Sequence, residues 1–110
     1  EIPESRNAVT RPLVALGSMR NNVGRMALVL AAGTNGGYRI AKLYYENDIT
    51  TVIYLHIDPG EAARLKSEKV KGNLVLLGHL AGDSIGLNAF ANKLERRGIQ
   101  TIRLGIISGS

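Results

Sequence analysis

Four short aliphatic runs recur along the chain: MALVLAA (26–32), TTVIYLHI (50–57), NLVLLG (73–78) and QTIRLGII (100–107), with amphipathic stretches of ten to fifteen residues between them. Runs of this kind suit β-strands, and the first three are so nearly continuous in apolar character that they read as strands covered on both faces. The stretches between them read as helices over about 37–47, 59–70 and 84–97. In the second helix Asp58, Pro59 and Glu61 supply an N-cap, a proline at the first helical position and the acidic partner of a capping box. The third keeps Leu87, Phe90, Ala91 and Leu94 on one stripe and ends in Arg96-Arg97-Gly98, two basic residues followed by a stop glycine. Alternation of strand and helix, with right-handed crossovers, predicts a Rossmann-like three-layer α/β sandwich on a mostly parallel sheet of four to five strands.

Residues 1–22 show no sustained period and read as an arm or linker remnant, with room for a short strand at Leu13 to Leu16; residues 23–110 read as a single α/β domain. The opening residue, Glu1, is not methionine, which suits a processed chain or a piece of a longer one. Aromatic residues are 5% of the sequence and glycines number 13, so packing must be aliphatic and the strand-to-helix turns tight. There is no cysteine, which removes disulfides, thiolate metal sites and cysteine nucleophiles together. No apolar run approaches the roughly 18 residues that cross a bilayer, and the first ten residues lack a signal-peptide pattern, so a cytoplasmic protein is expected. The net charge of +5 is spread from Arg6 to Arg103 without a nucleic-acid motif, and nucleic acid is not expected as a partner.

Strand-to-helix loops of a parallel sheet emerge at one edge, where open α/β domains bind ligands. Three loops qualify: AAGTNGGYR (31–39), HIDPGE (56–61) and GHLAGDS (78–84). In the first, Gly33, Thr34, Asn35, Gly36 and Gly37 precede a helix, so their backbone N–H groups could cradle an anion such as a nucleotide or phosphorylated small molecule; a tight turn that needs glycine explains the same residues. His56 closes a buried strand, where it could serve as a general base or simply bond a neighbouring carbonyl. His79 and Asp83 stand four apart, and imidazole with carboxylate suits zinc, manganese or iron. The same spacing also suits a loop histidine followed by a helix N-cap.

The segment GNLVLLGHLAGDSIGLNAFANKLERRGIQTI resembles the last block of the Nif-three-like dinuclear metal-centre family, homologues of GTP cyclohydrolase 1 type 2. That block runs strand, Gly-His, three residues, an acidic residue and a long helix. ALVLAAGTNGGYRIAKLYYENDITTVIYLHI is similar to the preceding block, in which a strand enters a glycine-rich loop. The resemblance implies that His79 and Asp83 are ligands of a two-metal site, with aspartate where the family usually carries glutamate. It also implies a homo-oligomer, since the family forms rings. The family's other ligands lie in its N-terminal half and have no counterpart in residues 1–22, so the chain resembles a C-terminal lobe or a short relative. His56 is the candidate third ligand or base.

Two readings follow: a metal-binding domain of a metal-dependent hydrolase acting on a nucleotide or phosphoester, and a non-catalytic interaction module that forms oligomers. A third, a small-ligand domain holding a mononucleotide at the glycine turn, lacks an acidic residue for the ribose unless Asp58 serves.

Overall fold

A computed structural model describes residues 2–30 and 36–109. The chain divides into two compact units, Pro12–Leu77, and Glu1–Arg11 together with Gly78–Ser110.

The first unit holds β1 (Leu13–Leu16), β2 (Met26–Val29), α2 (Gly37–Glu46), β3 (Thr51–Tyr54), α3 (Pro59–Ser67) and β4 (Asn73–Leu76). The second holds α1 (Pro3–Asn7) and α4 (His79–Glu95). The strands form one sheet in the order β1-β4-β3-β2. β2, β3 and β4 are parallel, with Ala27, Val52 and Leu74 in one row; β1 runs antiparallel to β4, pairing Leu13 with Leu76. The fold is thus mixed α/β on a mostly parallel four-stranded sheet.

A single apolar core fixes the first unit. Val52 and Tyr54 on β3, Leu74 on β4, Ala41 on α2 and Leu65 on α3 are almost entirely buried and belong to one cluster, which also takes in Tyr38 and Leu16. Residues 52 and 54 share one face of their strand, so both helices pack on that face. The order of strands explains this. β2, β3 and β4 succeed one another in one direction across the sheet, and successive right-handed crossovers in one direction land on the same side. The three-layer expectation therefore gives way, within this unit, to one helical layer on one face.

Around this core, side chains tie the connections down. Arg64 stacks its guanidinium 4.0 Å from the centre of the Tyr38 ring, and the Tyr38 hydroxyl donates to Glu68, linking α2 to the end of α3. Buried Asn73 donates to Thr51 Oγ1 (3.0 Å) and to the Asn22 carbonyl (3.1 Å), and accepts from Asn21 Nδ2 (2.9 Å). That network holds the turn between β1 and β2 on the sheet.

Three further expectations are corrected. β2 alternates between exposed and half-buried residues, with Met26 and Leu28 57% and 61% exposed, because it is an edge strand and not one covered on both faces. The fourth aliphatic run forms no strand. Its backbone is held instead by α4 side chains: Asn88 Nδ2 donates to the Ile107 carbonyl (2.7 Å), and the Ile107 N–H donates to Ser84 Oγ (2.9 Å). Finally, α4 begins at His79, five residues before the expected start, with Gly78 as its N-cap at φ 84°.

Candidate metal centre

The early start of α4 recasts the histidine and aspartate. Glycines at 82 and 86 lower helix propensity and disguise the first turns, yet the Gly82 N–H donates to the Gly78 carbonyl at 3.0 Å and the helix runs on unbroken. His79 is therefore the first helical residue and not a loop residue, and Asp83 lies one turn further in and is not a cap. Spacing of four puts both on one face. His79 Nε2 stands 3.2 Å from Asp83 Oδ2, with each side chain about half exposed, 53% and 51%.

The pair fits one part of a metal site. Bonds of about 2.0–2.2 Å from zinc to imidazole nitrogen and carboxylate oxygen leave about 3–3.5 Å between two ligands of the same ion, and the two atoms already face each other at 3.2 Å. Imidazole and carboxylate also match the chemistry of manganese and iron. Two ligands do not make a complete site, since catalytic zinc takes three from protein. Among the described residues no group of three or more histidine, aspartate or glutamate side chains is arranged to hold a metal ion.

His56 follows β3 in the other unit and is half-buried. Asp58 is a helix cap in fact: its Oδ1 accepts from the Gly60 N–H (2.8 Å) and the Glu61 N–H (3.3 Å). Of the glycine-rich turn, Gly33, Thr34 and Asn35 lie outside the described residues. Gly36 and Gly37 have φ of 66° and 80°, and a Cβ on Gly36 would meet the Tyr54 ring at 2.7 Å, so glycine is required there by backbone and neighbour alike.

Sequence reasoning missed what stands at the start of α2. A Cβ on Gly37 would lie 3.2 Å from both carboxylate oxygens of Glu61, and the helix has no side-chain cap of its own. Glu61 thus brings a negative charge to the helix end that the anion-cradle reading reserves for a substrate. The Tyr54 hydroxyl donates to the Gly37 carbonyl at 3.1 Å, and burial, then Tyr44 and Glu61, push this phenol up to about 12. Nothing in the spacing of residues 58–61 separates a carboxylate serving its own helix from one reaching the next.

A mixed α/β fold with a histidine and an aspartate one turn apart on one helix is what these observations define. No family model matches the chain, and no curated protein matches it. The crystal structure of a NIF3 superfamily protein from Sphaerobacter thermophilus does match, with a TM-score of 0.79 and 42% identity over 94% of this chain. The chain belongs to the NIF3 superfamily. It spans 38% of the length of that solved relative.

Proposed function

We propose that this chain is the metal-binding lobe of a metal-dependent hydrolase whose substrate is a nucleotide or phosphoester. The observation that carries the reading is the His79–Asp83 pair, 3.2 Å apart on an outward face of α4, in a chain of the NIF3 superfamily. His79 and Asp83 would hold a zinc, manganese or iron ion, which when bound would acidify water and polarise a carbon or phosphorus centre. The chain's own part is to present an imidazole and a carboxylate at fixed spacing on a rigid helix. His56 is the candidate third ligand or general base. The working protein is a cytoplasmic homo-oligomer.

The exposed apolar surface favours a second reading, an assembly module without catalysis: Leu87 and Phe90 on α4 are 48% and 60% exposed. Elemental analysis of the untagged chain after metal reloading tests the first reading. Bound metal in the parent, lost in both His79→Ala and Asp83→Ala, is the expected outcome. Metal content unchanged by either substitution sinks it.

A further inference from the structure

Residues 101–104 are unpaired, yet they keep a strand's alternation. Thr101 and Arg103 are half-buried and turned to α4: the Thr101 hydroxyl donates to Glu95, and Arg103 donates to Asn88, Asn92 and Glu95 at 3.2, 2.6 and 2.7 Å. Ile102 and Leu104, between and beyond them, are 88% and 83% exposed. A period of two belongs to extended chain, with one set of side chains on each face. Here one face is fastened to the chain's own helix and the other is apolar and bare. The backbone is equally unclaimed. Among the described residues, Gln100 to Leu104 make no backbone–backbone hydrogen bond, and the last before them is Ile99 N–H to the Leu94 carbonyl.

A row of unpaired N–H and C=O groups is a template for another strand, and apolar side chains at alternate positions select one that carries a sheet behind it. We propose that residues 100–104 are a docking strand that adds to the open edge of a β-sheet in a separate polypeptide, with Ile102 and Leu104 covered by that sheet's apolar side chains. The solved relative shows where such a polypeptide is at hand: this chain matches 38% of it, so most of that protein lies outside the match and in one chain with the matched part. The inference goes beyond the metal reading and does not depend on it.

The probe is the part of the Sphaerobacter thermophilus protein outside the match, produced together with this whole chain in one cell. In the chain alone, the amides of residues 100–104 should exchange hydrogen as open chain does. In the complex, alternate amides of that segment should slow by about tenfold or more. Leu104→Asp, at an exposed position that leaves circular dichroism unchanged, should cut recovery of the complex by about tenfold or more. His79→Ala should leave it as it is. Protection of these amides in the chain alone overturns the proposal, because their partner is then within the chain. A complex that survives Leu104→Asp but is lost in Phe90→Asp overturns it too, since the partner then sits on α4. Assembly of the chain with itself that Leu104→Asp abolishes gives the strand to a second copy, and recovery of no complex leaves it without the partner proposed; either result overturns the inference.

Discussion

The two units are held together by different forces. The sheet unit is built on apolar burial, with Val52, Tyr54, Leu65 and Leu74 at or below 1% exposure in one cluster. The α4 unit is held by polar side chains on one helix: Asn88 donates to Glu4 (2.9 Å) and to the Ile107 carbonyl (2.7 Å), so segments from both ends of the chain are fastened at one residue. Apolar burial is additive and tolerant of pattern, whereas a hydrogen-bonded fastening fails at single atoms. His79 and Asp83 sit on the unit with the sparser core.

The sharpest way to break this contrast is a cavity in the sheet unit. Leu74→Ala removes a fully buried side chain and should cost about 2–5 kcal/mol, read as a lower midpoint in chemical denaturation. A loss below about 1 kcal/mol would mean that the cluster is not the main support. Next in size is Asn88→Ala, which leaves the buried Glu4 carboxylate and the Ile107 carbonyl without that partner, at about 1–3 kcal/mol. Hydrogen exchange should rise in residues 3–7 and 101–109 and stay unchanged in β3 and β4. Faster exchange in the sheet would show that the two units do not differ in the way described.

The smallest effect is alkaline. Burial pushes the Tyr54 phenol up to about 12, and raises Tyr45 further, from an ordinary value of 10.0. A raised phenol stays neutral in the folded chain while the unfolded chain ionises. Stability is therefore full below pH 10 and falls as pH rises through 12. Tyr54→Phe should flatten part of that loss, measured as the denaturation midpoint against pH. An unchanged slope would argue against a phenol held neutral by the core.

Much of the architecture was legible in the residues. The three aliphatic runs at 26–32, 50–57 and 73–78 each contain a strand, and Asp58-Pro59 starts α3 as its local chemistry requires. The short strand at Leu13–Leu16 was legible too, but not its antiparallel pairing with β4, whose residues lie some sixty positions away. The run at 100–107 carried a strand's composition, but alternation alone does not choose a partner. Arg103 and Ile107 turn to α4, and Ile102 and Leu104 are left 88% and 83% exposed. At the site, the sequence carried the four-residue spacing, while the glycines of α4 concealed that both members belong to one helix and so share a face.

What the sequence determined by itself was local: strand-forming runs, the cap on α3, glycine where φ is positive, and the spacing of four between His79 and Asp83. These follow from the geometry of neighbouring residues and need no distant contact. Tertiary structure alone decided that both crossover helices share one face of the sheet, that Glu61 stands at the start of α2, and which side of α4 turns outward. Each depends on which distant segments meet, and that is settled by the joint burial of side chains from several elements and not by any stretch read on its own.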